Sequence, residues 1–381
     1  MSLAVIDARE WQNLFDLQTG DMVSSEDAVV KTVRHILKTH PYPGDTESES
    51  NRWVTDTALD LIDAYDPQLA CISYAQQYFA NRYFPYDAAS RRKLFEHVFD
   101  EAERFIQASG MAPVIVGTGD MVPSGRELDL CRLDGLALSS HWSARYAGLH
   151  DPSERDLKEV TNMSGIECMA SREEWLALFD TPVAEPYRLP DYLLVAEEGW
   201  CFKTVGQPLR RSIMVPGKGF EIPVATTLGC VSHITDLQRF LLSHLARERI
   251  ALILIEGIGL AEFPLSHNPC RNNRDWFYYE PGEGLYLTLS TGRHQVFAYP
   301  PGYRYFDDVE EPKAYPFSGY FREMPRSTIG EVYSGRSIAV GNRSMFMHTA
   351  FGADLSIECF ARNLFNQGLL AVIRNLCREY R

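Results

Sequence analysis

Three carboxylates close short apolar runs: Asp120 ends the turn Gly117-Thr118-Gly119 after Pro113 to Val116, Glu197 follows Leu193 to Ala196, and Glu256 follows Ile250 to Ile255. A carboxylate there can cap the next helix or, with others beside it, hold a hard cation. If the three run ends are neighbours, Asp120, Glu197 and Glu256 converge on one rim. They would then hold a divalent metal ion (zinc, manganese or magnesium), with His141, His233, His294 or His348 as further ligands. A second polar cluster lies late in the chain: Thr288, Ser290-Thr291-Gly292-Arg293-His294, Tyr303-Arg304, and Gly341-Asn342-Arg343-Ser344 to His348. Guanidinium groups offer paired donors and glycine lets backbone N–H groups approach, which suits a phosphate or other oxyanion. A hydroxyl of Thr288, Ser290 or Thr291 could attack where a metal lowers its pKa. Arg293 and His294 complete the candidate catalytic set, and Arg304, Asn342, Arg343 and His348 the candidate substrate-binding set. The competing structural reading is a loop-rich segment whose arginines satisfy carbonyls.

These residues need a frame, and a helix-then-strand unit recurs along the chain. Asp87 caps a helical stripe of Leu94, Phe95, Val98, Phe99, Ala102, Phe105 and Ile106, which Gly110 stops before the strand Pro113 to Val116. A second unit starts at Thr235, with Leu237, Phe240, Leu241 and Leu245 inward, and ends in the strand Ile250 to Ile255. A third is expected from Asp354 or Ser356, with Ile357, Phe360, Leu364 and Phe365 inward, Gly368 as cap and Leu369 to Ile373 as strand. A fourth runs from Ala58 to the strand Leu69 to Tyr74. Strands apolar on both faces and separated by amphipathic helices imply an α/β fold with a mainly parallel sheet covered by helices on both faces. The expected organisation is an N-terminal helical segment (1–50) and the first part of the core (51–263, with an insertion at 121–190). A Gly/Pro/aromatic-rich β subdomain (264–345), with alternation over Leu285 to Ser290, and a returning helix and strand (346–381) complete it.

Composition narrows the partners. The 381 residues include 37 Lys plus Arg against 51 Asp plus Glu, a net charge of −14. Such a field repels duplex nucleic acid and anionic membrane but leaves room for a small phosphate-bearing molecule in a local basic pocket. The longest apolar run is six residues, against about 20 for a membrane span. No basic segment followed by an apolar stretch opens the chain, and none of the eight cysteines lies within five residues of another. A reducing cytoplasm is the expected compartment, and a homo-oligomer is compatible with all of this. No Walker A pattern and no Gly-x-Ser-x-Gly elbow occurs. Gly257-Ile258-Gly259-Leu260-Ala261-Glu262 follows a strand, but it lacks the last small residue and the following helix of a dinucleotide fingerprint.

The order of segments resembles the alkaline-phosphatase superfamily, in its type I phosphodiesterase branch. Asp66-Pro67-Gln68-Leu69 before a strand, Val114 to Met121, Leu189-Pro190-Asp191 before a strand, and Ile222-Pro223-Val224 with Thr235-Asp236-Leu237 are similar to successive pieces of that fold. Ile250 to Gly257 resembles its first strand, with Glu256-Gly257 where the family has Asp-Gly, so the chain reads as a circular permutant. Ala75-Gln76-Gln77-Tyr78-Phe79 stands where the family carries a metal-binding Asp and His, which implies a degenerate metal site. The resemblance implies metal-assisted hydrolysis of a phosphate monoester or diester, with Asp120 and Glu256 as ligands. A non-catalytic ligand-binding or scaffold protein on the same fold is the alternative.

Overall fold

Ile250–Ile255 forms a strand buried at every residue, with Leu69–Tyr74 and Ala112–Gly117 running parallel on either side. Six apolar residues without alternation leave no face for water, so a central position follows. The structure, a computed structural model, describes residues 3–7, 13–16, 22–139, 145–180, 189–203, 212–294, 329–343, 351–362 and 365–374.

The chain begins with β1 (Leu3–Asp7), β2 (Leu14–Asp16), β3 (Met22–Val23), α1 (Ala28–Thr39) and α2 (Ser50–Tyr65). It continues through β4 (Leu69–Tyr74), α3 (Gln76–Tyr83), α4 (Ala88–Ser109) and β5 (Ala112–Gly117). An excursion carries β6 (Met121–Pro123), β7 (Arg126–Leu128), β8 (Leu136–Ser139), β9 (Tyr146–His150) and α5 (Glu154–Thr161). It ends with β10 (Ile166–Ser171), α6 (Arg172–Leu176), β11 (Tyr192–Ala196), β12 (Trp200–Phe202) and β13 (Met214–Pro216). The chain then returns through β14 (Glu221–Thr226), α7 (Leu237–Leu245), β15 (Ile250–Ile255), β16 (Asn268–Arg271), β17 (Asn273–Arg274) and β18 (Phe277–Tyr278). It closes with α8 (Glu283–Thr291), β19 (Ser337–Gly341), β20 (Leu355–Arg362) and β21 (Phe365–Arg374).

One eleven-stranded sheet has the order β16-β14-β5-β15-β4-β19-β20-β21-β1-β2-β3. Its middle strands β5, β15, β4, β19 and β20 are parallel, and both margins are antiparallel. The two-residue period of a strand divides the core. Ala70, Ile72, Ala251 and Ile253 pack with Val30, Val54, Leu61 and Phe105 of α1, α2 and α4. Leu69, Cys71, Leu252 and Leu254 pack on the other face with Leu237, Leu241, Leu285 and Leu289 of α7 and α8. Helices therefore cover both faces, and Asp87 and Gly110 bound α4 as the stripe requires.

Several expected elements differ. Leu285 to Ser290 is helix, not strand. Thr288 Oγ1 donates to the Gly284 carbonyl and Thr291 Oγ1 to Leu287, at 2.8 and 2.6 Å. Hydroxyls bonded back into their own helix remove the polar face, so Leu285 to Thr291 of α8 are all buried and the alternation is uninformative. The last unit is a hairpin of β20 and β21, with Gly368 opposite Phe360 in the ladder rather than capping a helix. Ile357 and Phe360 fit a helical stripe, but Leu355, Ile357 and Cys359 face one core with strand period. The first 50 residues contribute β1 to β3 as well as α1, so they are not a helical segment. The described part of 264–345 is no separate β subdomain, since β19 lies in the middle of the main sheet. Leu193 to Ala196, read as a core strand, belongs to a four-stranded antiparallel sheet ordered β10-β11-β9-β8. A short apolar run does not encode its partner.

Asp156 holds that excursion together. Its carboxylate accepts the N–H groups of Asp134, Gly135 and Ser153 at 2.9, 3.0 and 2.9 Å. These bonds, led by that from Asp134, pull its pKa from 3.8 to about 2. A depressed folded pKa adds stability above the unfolded value of 3.8, and that stability is lost as pH falls through about 2. Asp156→Asn is therefore expected to be less stable than the parent at neutral pH. Urea denaturation at a series of pH values should show the gap narrowing across that window.

Candidate functional site

At the carboxyl ends of β5 and β15 two turns interlock. Gly257 N donates to Thr118 Oγ1 (3.1 Å), Gly259 N to Asp120 Oδ1 (3.0 Å) and Gly119 N to the Ile258 carbonyl (3.3 Å). The approach requires residues without side chains: a Cβ on Gly117 would lie 2.4 Å from the Ile258 oxygen, and one on Gly259 2.4 Å from Asp120 N. Asp120 and Glu256 thus stand at the ends of two neighbouring strands, on one rim. Glu197 does not join them; it is exposed at the end of β11. The next residue, Glu198, faces this rim instead: its Oε1 accepts Lys218 N at 2.9 Å, beside Gly217, whose N–H donates to the Asp120 carbonyl at 2.9 Å.

Glu256 is fully buried between Arg343 Nη1 and the Tyr286 hydroxyl. Tyr286 also bonds Ser73 Oγ at 2.9 Å. Arg343 Nη2 donates to the Pro281 carbonyl at 2.8 Å, and its guanidinium lies 5.0 Å from the Tyr78 ring centroid. Burial pushes the Glu256 carboxyl up, opposed by the Arg343 charge and the bonds from Tyr286, Arg343 and Ser73. Burial and the Glu256 charge push the Tyr286 phenol well above its ordinary range. The carboxylate and guanidinium are both taken up by each other, which is the arrangement that makes a buried ion pair tolerable.

Around this pair runs a network of amides. Asn342 Oδ1 accepts Ala75 N at 2.7 Å, and its Nδ2 donates to Ser50 Oγ and Asn51 Oδ1 at 2.9 and 3.0 Å. Asn51 Nδ2 donates to Gln77 Oε1 (3.0 Å), and Gln77 Nε2 to the carbonyls of Tyr74 (2.7 Å) and Glu256 (2.8 Å). The ends of β4, β15 and β19 and the start of α2 are tied into one unit. Gln76 breaks the pattern, because its buried Oε1 has no partner among the described residues. Asn51, Gln76, Gln77 and Tyr286 were not among the residues the sequence singled out. A signal existed: two adjacent amides, Gln76 and Gln77, open the helix one residue after the mostly apolar run Leu69 to Tyr74, where neither caps the helix.

The remaining sequence-derived residues divide. Thr288, Ser290 and Thr291 donate to carbonyls within α8, so none is aimed at the rim as a nucleophile. Arg293 is exposed. His294 is buried, stacked on Tyr279 at 5.9 Å and edge-on to His233 at 5.2 Å. Burial and His233 lower its pKa to about 4. It follows the C-terminal end of α8, whereas Arg343 bonds Pro281 just before the N-terminal end; nine residues of helix place about 13 Å between the ends. Asn342 and Arg343 are thus at the rim, while Arg293 and His294 are not. Arg304, His348 and His141 lie outside the described residues.

The proposed metal ligands do not fit a hard cation. Glu256 faces a guanidinium and a phenol, Asp120 accepts a backbone amide, and Glu197 is apart from both. Among the described residues no group of three or more His, Cys, Asp or Glu is placed to hold a metal, and no helix is long and apolar enough to cross a membrane. No protein-family model and no curated protein matches this chain.

Proposed function

We propose that this protein binds a small polar molecule at the carboxyl rim of its parallel strands, with Glu256 and the α8 hydroxyls serving structure rather than turnover. The observation that carries this reading is Gln76 Oε1, a buried acceptor without a donor among the described residues, in a network whose neighbouring amides are matched. An unpartnered buried polar atom costs on the order of 1–3 kcal/mol, so its retention calls for a partner that the described residues do not supply. The position agrees, since parallel α/β sheets take ligands beyond the carboxyl ends of their strands. The phosphate-ester hydrolysis implied by the resemblance to alkaline phosphatases has less support, because Glu256 already carries its own counter-charge and hydrogen bond.

Thermal shift against a panel of small polar molecules, with native mass spectrometry of the purified protein, tests the proposal. A cognate ligand at a hundred times its Kd should stabilise the fold by about 2.7 kcal/mol. Gln76→Leu, which needs no donor, should retain the fold and lose that gain. Stoichiometric metal, with turnover of a p-nitrophenyl phosphodiester that Asp120→Asn abolishes, would overturn it in favour of a hydrolase. An absence of any binding would overturn it outright.

A further inference from the structure

A second set of unmatched polar atoms lies where the four-stranded sheet meets the core. Arg145, just before β9, is 4% exposed, and Tyr278, in β18, is 1% exposed. Arg145 Nη2 donates to Glu167 Oε2 at 2.6 Å, but its Nε is buried without a partner among the described residues. The Tyr278 hydroxyl is also buried without a partner among the described residues. The Arg145 guanidinium carbon stands 4.6 Å from the centroid of that same tyrosine ring, so the two orphan groups belong to one contact.

Each neighbour is already engaged. Glu167 is shared between Arg145 and Lys218 Nζ, the latter at 3.1 Å, so it neutralises neither alone. Glu280 Oε1 accepts the Arg145 backbone N–H at 3.2 Å. Tyr146 Oη donates to the Tyr278 carbonyl at 2.9 Å, which fixes the Tyr278 backbone and leaves its hydroxyl unanswered. A guanidinium N–H and a phenolic O–H are both donors, and one oxygen carrying negative charge can accept from both. Pro281, one residue beyond Glu280, is the carbonyl that Arg343 binds, so this contact adjoins the rim.

We propose that Arg145 Nε and the Tyr278 hydroxyl form a subsite for an oxyanion, the carboxylate or phosphate group of a small molecule. The inference deepens the rim-binding reading, on which it rests, by giving the ligand a charged end. Lys218, opposite Arg145 across Glu167, keeps that carboxylate from cancelling the guanidinium. Tyr278 presents an oxygen that removal would not miss in the unliganded fold, which makes it the clean residue to change.

Inorganic phosphate and acetate, titrated separately by calorimetry, are the probes, and their relative affinities decide between a phosphate and a carboxylate end. Tyr278→Phe should fold at least as well as the parent and bind the preferred anion roughly tenfold more weakly. Arg145→Lys keeps the charge but not the Nε–H, and should weaken binding similarly. Gln76→Leu separates the two readings: anion binding retained there keeps the subsite, whereas the rim proposal falls if the parent protein binds none of the small polar molecules. Failure of both anions to bind at millimolar concentration, or affinities unmoved by Tyr278→Phe, would overturn the subsite. So would an experimental density map of anion-soaked protein with only water between Nε and the hydroxyl.

Discussion

Arg343→Met is expected to destabilise the protein by about 3–5 kcal/mol, because it leaves Glu256 charged and buried with no counter-ion. Tyr286 and Ser73 cannot replace the cation; they provide hydrogen bonds but no charge. The carboxyl, already pushed up by burial, would rise further once the guanidinium is gone. An acid whose folded pKa lies above its unfolded value favours the folded state most when protonated, below about pH 4.5. That preference is lost as pH rises through the folded pKa. The variant should therefore be relatively more stable in mild acid than at alkaline pH, opposite in sign to the Asp156 effect. Urea denaturation of the parent, Arg343→Met and Arg343→Met/Glu256→Gln at several pH values checks it. The double variant should recover part of the loss and flatten the pH dependence. A single variant as stable as the parent would mean that the pair does not hold the rim together.

The acid half of this pair was legible in the sequence and the basic half was not linked to it. Glu256 follows an apolar run whose central place in a sheet is dictated by its lack of alternation, so its location at a rim follows from strand direction alone. Arg343 was noticed for its own chemistry, as an oxyanion donor, but nothing local joins it to a carboxylate 87 residues away. Only the sheet order β15-β4-β19, itself a matter of which strand is inserted beside which, brings them together. The units ending in β5 and β15 were readable because caps, apolar stripes and stop signals agree there. In α8 they conflict, since hydroxyls that bond inward imitate a strand's polar alternation. Gln76 and Gln77 were visible as residues but noted only for the acid and histidine they are not. The role of Gln77 depends on matched partners from several elements and that of Gln76 on an acceptor left unmatched, neither of which spacing along a chain reports.

Gly117→Ala offers a test of the interlocked turns that place Asp120 and Glu256 on the same rim. Gly110 and Gly117 are glycine for different reasons: at Gly110 a left-handed φ of +61° with nothing near an added Cβ, at Gly117 lack of room. A methyl group at 117 would meet the Ile258 carbonyl oxygen at 2.4 Å and Pro223 Cγ at 2.7 Å. A backbone oxygen cannot rotate away as a side chain would, so the turn after β15 must lift. The bonds from Gly257 to Thr118 and from Gly259 to Asp120 would lengthen with it. Overpacking of this kind costs about 1–3 kcal/mol. Gly125→Ala is the control: its nearest neighbour to a Cβ is 3.7 Å away, and a change within about 0.5 kcal/mol is expected. Hydrogen exchange reads the local consequence, with Gly257 and Gly259 amides losing protection in Gly117→Ala before the strand amides of β15 do. Unchanged protection at those two amides would mean that the turns are held apart from each other, and that Asp120 and Glu256 occupy the rim independently.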